Sequence, residues 1–136
     1  MNKSLKIACS KSNLGSIRSF IKDSLEDVEL EKKTKGALVL AIDEACANAI
    51  IHGNNNDESN ELEVVVEADN NKLSFTISDI GANDFERLKH IEKNIQELVR
   101  TKSKGGMGLK LMHTIMDEVL YFEEKGVHKC QMVKNL

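Results

Sequence analysis

Residues 41–53 read AIDEACANAIIHG, the end of a run from Ala37 to Ile51 that is almost continuously apolar. Such a run predicts a helix from about Glu31 to His52, buried on most sides. Gly53 and the polar stretch Asn54-Asn55-Asn56-Asp57 close it. Into this helix the sequence sets three polar side chains: Glu44, Asn48 four residues on, and His52 four further, all on one stripe. Their neighbours Ala41, Ala45, Ala47 and Ala49 are small and let another group come close. A carboxylate or amide left unpaired in an apolar helix costs on the order of several kcal/mol. The stripe is therefore either a paired structural cluster near the helix end or the wall of a binding site. Periodicity leaves both open.

On the N-terminal side, Leu5, Ile7 and Cys9 alternate with polar residues as a short first strand does. Ser12 or Asn13 is placed to cap a helix carrying Leu14, Ile17, Ile21 and Leu25. On the C-terminal side two strands alternate, through Leu62, Val64 and Val66 and through Leu73, Phe75 and Ile77, around a turn at Asp69-Asn70-Asn71-Lys72. A charged span, Asp84 to Arg100, carries the helical stripe Leu88, Ile91, Ile95 and Leu98. Clustered glycines precede a helix from about Leu109 to Asp117, and a last strand pair, Val119 to Phe122 and Val127 to Val133, turns at Lys125-Gly126. This order predicts an α+β fold: a two-layer α/β sandwich with a mixed, mainly antiparallel sheet covered by helices on one face. At 136 residues the expectation is a single domain, 1–136.

Composition narrows the function. Hydrophobic residues at 40% and charged residues at 30% fit a folded globular chain rather than a disordered one. The net charge of -3 argues against direct nucleic-acid binding, and one Tyr, four Phe and no Trp leave little to stack on bases. A polyanionic ligand would need a local device. Cys9, Cys46 and Cys130 form no CxxC pair, which reads as reduced structural thiols and not a zinc site. No signal-peptide run and no apolar stretch of about 18 residues occurs, so the expected location is cytoplasmic with no membrane span.

Two further motifs bear on chemistry. Asp79-Ile80-Gly81 stands where a strand runs into a loop, either as a common turn or as an acidic acceptor beside a close backbone approach. Gly105-Gly106-Met107-Gly108, with Lys102 and Lys104 upstream, opens the next helix. It is either a hinge or a phosphate cradle of backbone N–H groups. It is no Walker A loop, lacking GxxxxGK[ST], and no dinucleotide fingerprint, since Leu111 holds the third glycine position. His52, His90, His113 and His128 show no HExxH spacing, which argues against a metallohydrolase.

Taken in order, Glu44 to Gly53, Asp79-Ile80-Gly81 and Gly105 to Leu109 resemble the N, G1 and G2 boxes of the GHKL ATP-binding superfamily. Within it, length and spacing are similar to the stand-alone anti-sigma factor serine kinases, over about residues 35–134. The resemblance implies the histidine-kinase-like ATPase (Bergerat) fold, with ATP and Mg²⁺ as cofactors. It assigns Asn48 to Mg²⁺ and Glu44 to the general base that takes the substrate serine's proton. Asp79 would accept from the adenine amino group, with Gly81 leaving room for the base. Gly105, Gly106 and Gly108 would bind phosphates, with His52, Lys104, Met107 and Leu109 completing the nucleotide set. Residues 82–104 would be the ATP lid. Implied partners are a STAS-type anti-sigma factor antagonist, as substrate, and a sigma factor; a homodimer also suits the family. Two positions depart from the pattern: Asn83 replaces the second G1 glycine, and Val127 stands where the terminal hairpin usually offers Gly-Thr, with His128 next to it. These departures keep a non-catalytic binding module as the alternative. A histidine kinase is not expected, because that class needs a separate phosphoacceptor domain.

Overall fold

Alternating apolar residues in four of the five strand segments become one wall of the core. The computed structural model describes residues 1–50, 59–80 and 113–136. Its strands are β1 (Asn2–Ala8), β2 (Glu61–Ala68), β3 (Lys72–Ile80), β4 (Glu118–Glu124) and β5 (Val127–Asn135). They form one sheet in the order β1-β2-β3-β5-β4. Every pairing is antiparallel, so of the expected mixed, mainly antiparallel sheet only the antiparallel part occurs among the described residues. One cross-strand row runs Leu5, Val64, Ile77, Cys130, Tyr121 and shows the register of the whole sheet.

Two helices, α1 (Leu14–Ser24) and α2 (Lys32–Asn48), cover one face of the sheet. Leu62, Val64, Val66, Leu73 and Phe75 point into that face with no exposed surface, because a period of two sends every second side chain the same way. They form one core with Ile17, Ile21 and Leu25 from the α1 region and with Leu38, Ala41, Ile42 and Cys46 of α2. Cys9 and Cys46 are fully buried in this core and unoxidised. Burial holds the Cys46 thiol far above the ordinary thiol range, with the Asp43 charge adding to it.

Boundaries moved where side chains found other partners. Asn13 does precede α1, but its Nδ2 donates to the Ala8 carbonyl at 2.9 Å instead of capping. A 3₁₀ turn, Lys11–Asn13, stands before α1, with Ser10 as its cap. Cys9 lies one residue past β1 and donates its N–H to the Asn60 carbonyl at 3.0 Å. In the β2–β3 turn, Asp69 Oδ1 accepts from the N–H groups of Asn71 at 2.7 Å and Lys72 at 2.9 Å, and these donors lower its proton affinity. The final hairpin turns through positive φ at both Lys125 (53°) and Gly126 (79°), the backbone that a two-residue turn of this twist requires.

The helix α2 is neither buried nor regular along its whole described length. Its outer face near the start is open, with Leu40 at 42% exposure, whereas no residue from Ala41 to Ile50 is exposed. Regular α-helical bonding ends at Asn48, and Ala49 and Ile50 continue in a wider π-type turn. The predicted span to His52 and the Gly53 stop lie outside the described residues, as does most of the helix expected from Leu109, of which 113–115 are helical. Among the described residues no helix is long and apolar enough to cross a membrane.

Candidate functional site

Glu44 and Asn48 occupy the last turns of α2, where the helix has sunk against the sheet. One turn apart on a continuous helix, they share a face as their spacing predicts. Asn48 is 7% exposed, and its amide Nδ2 is buried without a hydrogen-bond partner among the described residues. Leaving such a group without a partner costs roughly 1–3 kcal/mol in a folded chain. Glu44 is half-buried. Burial, and then the neighbouring Asp43 charge, raise its proton affinity above the ordinary carboxylate value. Asp43 itself is held by Arg18 of α1, whose Nη1 donates to Asp43 Oδ1 at 3.1 Å. A carboxylate that is partly desolvated yet ionisable is suited to accepting a proton.

Asp79 reaches the same side of the sheet by strand parity. It follows Leu73, Phe75 and Ile77 at a period of two, so it stands on the helix-covered face, and it is 8% exposed. The residues after α2 lead into the start of β2, and Glu61, the first residue of β2, pairs with Ile80. Asp79 therefore stands at the end of β3 that pairs with the start of β2, the strand that follows α2 in the chain.

The structure adds a residue that the motifs did not assign. Asp79 pairs in register with Leu62 on β2 and with His128 on β5, and His128 pairs with Glu123 on β4. Directly opposed residues share a face, so an acid, an imidazole and an acid form one row. His128 is 3% exposed, and its Nε2 lies 3.6 Å from Glu123 Oε2. Val127 pairs with Glu124 and faces the other way, so the residue at the expected Gly-Thr position does not look toward Asp79. The signal was present in the sequence: His128, Cys130 and Met132 keep the period of two that carries Met132 into the core.

Of the other predicted nucleotide residues, His52, Gly81, Lys104, Gly105, Gly106, Met107, Gly108 and Leu109 lie outside the described residues, as does Asn83. Among the described residues no three His, Cys, Asp or Glu side chains converge to hold a metal ion. A hard cation at this end of α2 would therefore lean on one amide oxygen, water and the oxygens of its ligand, a coordination habit of magnesium beside phosphates. The unpartnered amide of Asn48 fits that arrangement, offering an oxygen to the cation and an N–H to a phosphate oxygen.

The chain matches the histidine kinase-like ATPase domain over residues 7–134. An anti-sigma F factor from Geobacillus sp. (strain WCH70) is 36% identical over 86 residues, which cover 61% of this chain and 56% of that protein. The serine-protein kinase RsbW of Bacillus licheniformis is 31% identical over 119 residues, covering 84% of this chain and 69% of the relative. Its counterpart in Bacillus subtilis (strain 168) is 29% identical over 119 residues, covering 85% and 68%. The chain thus spans little more than half the length of the first of these relatives and about two-thirds of the other two. With the match running from within β1 into β5, across every described element between them, the chain belongs to the histidine kinase-like ATPase domain family.

Proposed function

We propose that the chain is an ATP- and Mg²⁺-dependent protein serine kinase that also acts as an anti-sigma factor. Its substrate would be an anti-sigma factor antagonist of the STAS type, and its second partner a sigma factor that it sequesters. The observation that carries this reading is the pair at the end of α2: a carboxylate with raised proton affinity one turn from a buried amide that has no partner among the described residues. The printed names of the relatives, anti-sigma F factor and serine-protein kinase RsbW, support the partner classes.

Bound MgATP supplies the γ-phosphoryl group and neutralises its charge. The chain's own residues do the rest. Asn48 holds cation and phosphate through the two ends of one amide. Asp79 accepts from the amino group of the base. Glu44 takes the proton from the attacking serine hydroxyl. Phosphoryl transfer depends mainly on positioning and charge neutralisation, so one carboxylate within reach of the hydroxyl suffices as proton acceptor. The test is transfer of label from γ-labelled ATP to the antagonist protein. No transfer by the intact chain ends the kinase reading, and no heat in calorimetry with millimolar MgATP or MgADP leaves the non-catalytic binding module.

A pH dependence follows. Glu44 must be ionised to accept a proton, so transfer falls as pH drops through its raised value. Asp43 is one cause of that rise, so Asp43→Asn removes a negative charge that disfavours the ionised carboxylate. The acid limb of the single-turnover pH–rate profile should therefore move to lower pH in Asp43→Asn. A limb that stays in place or moves up contradicts the assignment of Glu44 as base.

A further inference from the structure

From the row Leu62–Asp79–His128–Glu123 we infer that His128 is a positioning residue for base recognition: it holds the Asp79 carboxylate in the orientation that accepts from the exocyclic amino group of adenine. The inference rests on the nucleotide-binding reading above and deepens it.

A carboxylate on the buried face of a sheet needs a polar neighbour to fix where its lone pairs point. On the β2 side the row offers Asp79 only the aliphatic Leu62, itself fully buried. On the β5 side it offers His128, 3% exposed, at the directly opposed position, where side chains start about 5 Å apart. The ring's own orientation is fixed from beyond, because Nε2 lies 3.6 Å from the Glu123 carboxylate, which is 44% exposed at the rim. Facing a carboxylate on each side takes an N–H on both ring nitrogens, so in this arrangement the ring carries both protons. Nε2 faces Glu123, and Nδ1 is the atom we assign to Asp79. The hairpin's two positive-φ residues, Lys125 and Gly126, set the register that places His128 there. Val127, facing away, takes no part.

The test is calorimetric titration of the full chain with MgATP and with MgITP, whose base carries a carbonyl where adenine carries the amino group. The wild type should prefer ATP. His128→Ala should weaken ATP about tenfold, the size of one charge-assisted hydrogen bond, while ITP affinity changes little, so the preference collapses. His128→Gln, which keeps a donor, should restore most of the preference, and Glu123→Gln should give a smaller loss. In an Asp79→Asn background, His128→Ala should add nothing to the loss of preference. Unchanged ATP affinity in His128→Ala overturns the assignment; so does a parallel loss of ATP and ITP, or an additive effect with Asp79→Asn. Should His128→Ala fail to fold, His128→Gln and the cycle of His128→Gln with Asp79→Asn decide the matter by the same ratio. A wild type that binds neither nucleotide overturns the nucleotide reading itself, whereas normal ATP preference in the variants overturns only the role of His128.

Discussion

Glu44→Gln leaves the chain able to bind nucleotide but slows phosphate transfer by about 10²–10⁴-fold, the usual contribution of a positioned general base. Glutamine keeps the shape of the side chain and its place one turn from Asn48, so what is lost is the capacity to take a proton. The sign of the accompanying stability change is fixed independently. Glu44 holds its proton more tightly in the folded chain than in the unfolded one, because burial and Asp43 disfavour its ionised form. At pH above both values the folded state carries that penalty, and the penalty disappears as pH falls through the raised value. Glu44→Gln removes it, so the thermal midpoint at neutral pH should rise slightly. Single-turnover transfer and a melting curve read the two effects. A dead enzyme with a lowered midpoint points instead to a structural role for Glu44.

Asn48→Leu carries the second large expectation, again with stability and activity moving in opposite directions. Leucine keeps the branched heavy-atom skeleton of asparagine, with bulkier methyl groups, at a position that is 7% exposed at the end of an apolar helix. It removes a buried amide nitrogen without a partner, whose desolvation costs roughly 1–3 kcal/mol. The variant should therefore unfold at higher urea, gaining about 1 kcal/mol. Mg²⁺-dependent nucleotide affinity should fall by about 100-fold or more, since loss of groups that merely support a metal ligand already costs 10–100-fold. A variant that is less stable, or that still binds MgATP normally, removes Asn48 from the site.

The contrast between these two residues and their neighbours shows what the sequence could disclose. Glu44 and Asn48 were legible because polar residues in an apolar helix contradict its local pattern, and such contradictions collect where function is. Asp79 was legible as a motif, but its direction came from counting: the period of two fixed at Leu73, Phe75 and Ile77 carries it to the helix-covered face. The strand segments and the hairpin at Lys125-Gly126 followed from alternation and turn chemistry. What could not be read was which strand neighbours which. The order β1-β2-β3-β5-β4 inserts the last strand beside β3, a long-range choice that no local pattern encodes. The pairing of Asp79 with His128 depends wholly on it. The change within α2 was hidden for a similar reason: apolar periodicity continues past Asn48, whereas the backbone changes its bonding there.

The buried thiol of Cys46 provides a clock. It lies two residues from both Glu44 and Asn48, is fully buried, and is far from ionised, so a thiol reagent in solution meets it only when α2 lifts from the sheet. Its modification rate therefore counts those liftings, without any introduced label. Because ligand binding makes such openings rarer in proportion to occupancy, the protection of this one sulfur by added nucleotide would measure affinity at the site through the motion of the helix that forms it.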